Sequence, residues 1–227
     1  MIDPNNITNF KRTTAELEEF LMFSIMVAGK SSKTTAKKLQ EVLADKPDGL
    51  SPFEYLDELE KVEADGIEKA LKKHKTGQYG RISNAFRQIL RFDKDRLKTA
   101  SIQSLEAVRG IGPKTSRFFL VHSRPNQNFA VLDVHILRWL NKHCNIYCRY
   151  TQTPPITAYR VMEKTFLHIA SVLKMTSAAL DLEIWNNKEN EANLAALHDR
   201  YLRMKHKQKA NELIEKVSTL FKPAHAV

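Results

Sequence analysis

An all-α fold is what this 227-residue sequence predicts. Seven glycines and eight prolines are too few for a turn-rich all-β chain. Apolar residues recur at helical spacing, as in Met162, Phe166, Ile169 and Leu173. Capping boxes stand ahead of apolar runs at Thr13-x-x-Glu16 and at Ser51-Pro52-Phe53-Glu54.

Taken in order, Thr13-x-x-Glu16 opens a helix whose run from Leu17 to Ala28 is apolar on all sides. Such a short helix belongs in the centre of a core, so Leu21, Phe23, Ile25 and Val27 are expected to be buried. Gly29-Lys30-Ser31-Ser32 breaks it, and Ser31 or Ser32 can cap a second helix running to about Leu43. Ser51 caps a third, with Pro52 at its first position and Glu54 closing the box. Further helices are expected near 66–74, 80–91, 101–108, 113–122, 134–143 and 157–174. One or two long polar helices should fill 177–220, and only Phe129 to Val134 hints at extended structure.

Charge narrows the partner. The chain carries 36 basic and 26 acidic residues, a net +10. Residues 76–180 alone hold 16 basic and 5 acidic side chains, more than the whole excess. A concentration of cations there suits a polyanion, whose condensed counterions are released when phosphates are neutralised; a solvated basic surface is the other reading. The longest nearly unbroken apolar run, Phe20 to Ala28, falls well short of the roughly 20 residues that span a bilayer, so no membrane partner is expected. The N-terminal residues lack a basic-then-apolar secretory pattern, and two cysteines, Cys144 and Cys148, cannot make a disulfide framework. An intracellular protein is the expectation.

The chemistry concentrates in residues 101–140. Gly110-Ile111-Gly112 lies between two short helical patterns, where the glycines allow a tight hairpin with positive φ and Ile111 can plug the crevice. Amides of that turn and of the next helix's first turn can hold a phosphate oxygen; a plain interhelical turn is the alternative. Pro113 starts the second helix and Lys114 sits in its first turn, an unfavourable place for a cation. That field, with partial burial and nearby Arg109 and Arg117, is expected to lower the lysine pKa and free an amine able to form a Schiff base with a sugar aldehyde carbon. Nineteen residues on, Asp133 precedes Val134-His135 at the start of a helix. It is a good N-cap there, and beside a sugar it could also support positive charge at an anomeric carbon.

Val108-Arg109-Gly110-Ile111-Gly112-Pro113-Lys114-Thr115, followed by Leu132-Asp133-Val134-His135, resembles the helix-hairpin-helix (HhH-GPD) DNA glycosylases, the superfamily of endonuclease III and 8-oxoguanine DNA glycosylase. The resemblance implies Lys114 as the nucleophile and Asp133 as the catalytic aspartate, with Arg109 standing where the family usually has proline. It implies phosphate contacts at Arg109, Gly110, Gly112, Thr115 and His135. More weakly, Gln78 and Tyr79 within Gly77-Gln78-Tyr79-Gly80-Arg81 are similar to the turn that fills the hole left by an extruded base, an ordinary interhelical turn being the alternative. Phe20 to Gln40 is similar to the segment lining the base pocket, which would place Phe23, Ala28 and Gly29 there, although Gly29 stands where endonuclease III has glutamine.

The implied architecture is two helical lobes, a six-helix-barrel-like lobe of residues 26–133 and a second lobe of 1–25 with 134–227, and DNA in the groove between them. The implied activity is bifunctional: base removal by Lys114, then β-elimination, with an oxidised purine such as 8-oxoguanine favoured by Asp133-Val134-His135. The alternatives are a glycosylase for another lesion, such as an oxidised pyrimidine, and a non-catalytic helix-hairpin-helix DNA-binding module. The expected partner is double-stranded DNA with a damaged base, the protein a monomer located where DNA is, in cytoplasm, nucleoid or nucleus. The four C-terminal cysteines that hold endonuclease III's iron–sulfur cluster have no counterpart here, so neither a cluster nor a catalytic metal is expected; the resemblance allows a monovalent ion at the hairpin. The basic run Arg200-x-x-Arg203-x-Lys205-x-Lys207-x-Lys209 is open to two readings, DNA backbone contact or a solvated helix face.

Overall fold

The structure, a computed structural model, describes residues 2–92, 94–144, 146 and 153–220. Cys148 lies outside them. The described residues form twelve helices and no strand: α1 (Thr14–Met26), α2 (Ser32–Ala44), α3 (Pro52–Val62), α4 (Gly66–Lys73), α5 (Tyr79–Ile89), α6 (Lys94–Thr99), α7 (Ile102–Glu106), α8 (Pro113–Ser123), α9 (Val134–Cys144), α10 (Ile156–Val172), α11 (Ser177–Asn186) and α12 (Glu191–Leu220). The stretch 129–133 carries no strand pairing and simply leads into α9. No helix among the described residues is long and apolar enough to cross a membrane.

The chain divides into two compact units, Met1–Val131 and Leu132–Val227. Residues 1–25 thus group with the first unit, a different division from lobes of 26–133 and of 1–25 with 134–227. The cause is α1, which packs against α2, α3, α5, α6 and α8.

In the first unit α1 is the buried axis. The Thr13 hydroxyl accepts the Glu16 amide, and the Glu16 carboxylate accepts the Thr13 amide at 2.7 Å. Every side chain from Phe20 to Met26 is buried, as are Leu17 and Val27, which removes apolar surface worth about 1.5–3 kcal/mol per large side chain. Ser24 satisfies its own hydroxyl on the Phe20 carbonyl. Buried Glu18 accepts the Phe53 amide at 3.0 Å, in the first turn of α3, where helix geometry leaves that donor unpaired. Residues 7–12 are strapped on by Arg12, whose guanidinium donates to the carbonyls of Ile7 and His122 and lies 4.0 Å from the Phe20 ring. Burial brings that guanidinium down to about 10.

Helix α6 has no amphipathic period to announce it. Its C-terminal carbonyls are satisfied from a distance: Arg124 donates to the carbonyls of Leu97 and Ala100 at 2.7 and 2.6 Å.

In the second unit α9 packs on α11 and α12, and α10 on α11 and α12. Met162, Phe166, Ile169 and Leu173 are buried together on one face, as their spacing predicts. Trp139 is buried with its indole N–H on the Leu194 carbonyl. Cys144 ends α9 half-buried, and burial pushes its thiol up to about 12, which keeps it protonated and suits it to packing rather than to metal ligation.

Candidate functional site

The hairpin is built from α7 and α8, which pack against each other. Ser101 caps α7 by accepting the Ser104 amide, and Val108 and Ile111 are buried behind the turn. Ile111 thus takes the plug position its sequence context predicts. The glycines differ in their roles. Gly110 has φ +104, and a Cβ there would lie 3.2 Å from the Ala85 Cβ, so both its conformation and its packing require glycine. Gly112 does not use positive φ. It is extended (φ −95, ψ −178), caps α8, and a Cβ on it would meet nothing within 4 Å. Gly110→Ala is expected to lower stability by about 1–3 kcal/mol through left-handed strain and the close contact, and Gly112→Ala by under about 1 kcal/mol. Urea denaturation of the two variants checks the difference.

Pro113 occupies the first position of α8, as expected. No side chain caps the helix, so the amides of Lys114 and Thr115 have no partner within it, while Ser116 donates to the Gly112 carbonyl at 3.0 Å. Two amides without an intrahelical partner and the helix's N-terminal partial charge are the chemistry by which a helix start can hold an anion. The Thr115 side chain is buried at 5% exposure, which leaves its backbone amide as the polar group it presents at the start of α8. Arg109 is exposed, and its amide donates to Gln88 Oε1 at 2.9 Å.

Lys114 is half-buried, with Nζ 5.0 Å from the centre of the Phe118 ring. Phe118 in turn meets the rings of Phe20, Phe23 and His122 at 5.6, 6.3 and 5.1 Å. The amine therefore rests on an aromatic flank of the core. Arg117, expected to press its charge on Lys114, is buried and donates to Glu106 at 2.7 Å, so that charge is offset. Glu106 also accepts from the Ser116 hydroxyl at 2.9 Å, joining α7 to α8 on both sides of the hairpin. Glu106→Ala removes the carboxylate that offsets buried Arg117, which keeps its bond to the Pro113 carbonyl, and is expected to cost about 1.5–3 kcal/mol, read as a lower denaturation midpoint with unchanged slope.

The expected pocket residues separate. Phe23 is 1% exposed and belongs to the aromatic core, because α1 is apolar all round and buries every face; it does not line an open pocket. Ala28 is half-buried and Gly29 exposed, the latter at φ +72 in the turn after α1. Gln78, exposed at φ +51, precedes α5, whose first residue is half-buried Tyr79. The Gln78 amide nitrogen lies 3.9 Å from where a Cβ on Gly29 would stand, so the structure brings the Gly29 turn and the Gln78 turn together within the first unit.

In the second unit Asp133 starts α9. Its Oδ1 accepts the amides of His135 and Ile136 at 2.8 and 2.9 Å, and its carbonyl accepts the Leu137 amide. Two donors and a helix N-terminus hold the carboxylate in one orientation and suit its anionic form. The backbone before it is fixed by the Tyr159 hydroxyl, which accepts the Leu132 amide. His135 lies in the first turn with its ring edge-on to Trp185, centres 5.0 Å apart. Its Nδ1 is buried without a partner, and burial holds the imidazole below its ordinary pKa. Half-buried Trp185, with Lys188 4.3 Å from its ring, stands beside the Asp133 turn. Sequence reasoning missed it, since 50 residues separate it from His135 and no motif marks it. Among the described residues no group of three or more His, Cys, Asp or Glu side chains could hold a metal ion.

No family model and no curated protein matches the chain. Solved structures do. One, of Methanocaldococcus jannaschii 8-oxoguanine DNA glycosylase, is 19% identical, with 82% of this chain and 83% of that chain covered and a TM-score of 0.61. Another, of 8-oxoguanine glycosylase/lyase from the same organism in complex with 15mer DNA containing 8-oxoguanine, is 20% identical, with 80% and 84% covered and a TM-score of 0.59. At this identity the likeness shows a shared all-helical fold.

Proposed function

We propose that the chain is a bifunctional DNA glycosylase/lyase that removes an oxidised purine such as 8-oxoguanine. The observation that carries this is Lys114 at the second position of α8, directly after a glycine hairpin with unpaired amides, in a chain whose next helix is capped by Asp133. The fold shared with two 8-oxoguanine glycosylase structures supports it.

In this reading the hairpin amides hold a backbone phosphate, and the damaged base leaves the stack at a cost of a few kcal/mol, smaller for a damaged pair. The neutral amine of Lys114 attacks C1′, and the bond from C1′ to the base nitrogen breaks, its electron pair leaving with the base. The base takes up a proton and the ammonium loses one. The ring oxygen then takes up a proton from solvent and departs from C1′ with the C–O electron pair as a hydroxyl, while the nitrogen lone pair forms the C=N bond of a protonated Schiff base. Loss of a C2′ proton expels the 3′ phosphate, and water releases Lys114. Asp133 opposes the positive charge that develops at C1′ and assists the proton transfers. The amine and the carboxylate carry these steps without a cofactor of the chain's own. In this reading Trp185, half-buried and edge-on to His135, is an aromatic surface of the second unit that contacts the extruded nucleoside.

Borohydride trapping on duplexes carrying 8-oxoguanine, an oxidised pyrimidine or an abasic site tests the proposal. A covalent adduct with the 8-oxoguanine duplex is expected. An adduct with the pyrimidine lesion alone reassigns the base. Retained duplex binding with no adduct on any substrate, the abasic site included, reduces the chain to a DNA-binding module.

A further inference from the structure

Arg81, Ala85 and Gln88 recur at helical spacing on α5 and each meets the hairpin, and Gln78, just before the helix, continues the same spacing. Half-buried Arg81 joins three segments. Its Nε donates to Gln78 Oε1 at 2.7 Å, its Nη2 to the Ile25 carbonyl at 2.9 Å near the end of α1, and its Nη1 to the Gly110 carbonyl of the hairpin at 3.4 Å. One and two turns further along, Ala85 is the atom that a Cβ on Gly110 would meet, and Gln88 accepts the Arg109 amide. The hairpin is thus laid along α5 by its backbone, while Gln78 stands at the N-terminal end of the same face, about 15 Å from Gln88 at helical rise.

The turn at that end is only partly closed by α4 itself, through the amides of Lys75 and Thr76, which donate to the carbonyls of Lys72 and Leu71 at 3.0 and 3.1 Å and make the left-handed Lys75 an ordinary helix end. Lys75, Gly77 and Gln78 all have positive φ (51, 71 and 51), a cost of about 1 kcal/mol or more for each residue that is not glycine. Gln78 makes no side-chain cap on α5. The Thr76–Gln78 part is held from outside as well, by Arg81 on the Gln78 side chain and by Lys30, whose amine donates to the carbonyls of Thr76 and Gly77 at 2.7 and 3.1 Å. The left-handed, non-glycine Gln78 on an exposed turn tied down by long-range hydrogen bonds is the outlier that motivates a functional reading of this turn.

We infer that Arg81 is a positioning residue: through the face of α5 it fixes the exposed Gln78 turn in register with the Gly110 hairpin, so that the phosphate is gripped at a set distance from the base pair that Gln78 enters. The inference rests on the proposed glycosylase reading and adds a requirement to it, since opening a duplex needs the two grips coordinated whereas reaction with an abasic sugar in single-stranded DNA does not.

The test compares Arg81→Met, Gln78→Ala, Gln88→Ala and the double variant R81M/Q78A in two assays, single-turnover excision from a lesion duplex and borohydride trapping on an abasic single strand. Arg81→Met is expected to slow duplex excision tenfold or more at saturating enzyme and to leave single-strand trapping within twofold. Gln88→Ala, which loosens the hairpin end of the same face, should show the same selectivity with a smaller loss. R81M/Q78A should lose little beyond Arg81→Met, because both changes disable one turn. A purely structural role predicts equal losses in the two assays with a parallel fall in denaturation midpoint, and that result overturns the inference, as does unimpaired duplex excision. If Arg81→Met fails to fold, Arg81→Lys, which keeps the charge but reaches fewer acceptors, and Gln88→Ala give the same comparison. A wild-type protein that traps neither substrate overturns the glycosylase reading itself, a result distinct from selective or equal losses among the variants.

Discussion

Lys114→Gln is expected to abolish the borohydride-trapped adduct and to slow strand cleavage by about a thousandfold or more. A step routed through a covalent imine has no substitute once the amine is gone, and a thousandfold corresponds to about 4 kcal/mol of lost transition-state stabilisation. The substitution is mild for the fold. Glutamine keeps most of the aliphatic stem that lies against Phe118, so what is lost is the contact of Nζ with that ring, worth about 0.5–1 kcal/mol. A cation is also removed from the start of α8, where the helix dipole disfavours it, which offsets part of that loss. Stability should therefore stay within about 1 kcal/mol of the parent, and affinity for the lesion duplex within a few-fold, because the hairpin amides are untouched. Activity loss accompanied by unfolding would remove the variant's value as a probe of chemistry; denaturation curves run beside the rate measurements separate the two.

Asp133→Asn has the second-largest expected effect. The carboxylate plays two parts that asparagine divides. As the cap of α9 it accepts the His135 and Ile136 amides, and an asparagine oxygen accepts them as well, so stability should change by no more than a few tenths of a kcal/mol. As the anion that the proposed mechanism sets against charge at C1′ it has no neutral replacement, and on that mechanism excision should fall about a hundred- to a thousandfold. Asp133→Ala should lose the same activity and, in addition, about 1 kcal/mol of stability from the uncapped helix. Equal activity of Asp133→Asn and the parent would leave Asp133 with capping alone.

Much of the fold was legible because it is local. Thr13 with Glu16, Ser31, and Ser51 with Pro52 and Glu54 each start a helix where expected, since a cap is decided within four residues. The burial of α1 followed from its apolar circumference, and the plug at Ile111 from its place between glycines. What the sequence concealed is long-range. Helix α6 ends on carbonyls satisfied by Arg124, more than twenty residues away. Arg117 reads as a free cation near Lys114 and is in fact committed to Glu106. Thr115 carries a plausible functional label in one dimension, yet its side chain faces the core, and of the two readings Phe23 has in the sequence, core and pocket wall, its 1% exposure matches the first. The second glycine of the hairpin resembles the first in sequence and differs from it in backbone. Arg81 and Lys30 fall in segments that read as turns, but nothing in those segments shows that their hydrogen bonds reach carbonyls about 30 to 56 residues away.

The central claim is that one amine of this chain, that of Lys114, becomes bonded to the sugar carbon from which the damaged base departs. Digestion of the borohydride-reduced complex and mass mapping of the nucleotide-bearing peptide measures this directly. The account predicts the added mass on the peptide containing Lys114, and none when Lys114 is glutamine. An adduct carried by any other lysine, or one that persists in Lys114→Gln, would contradict it.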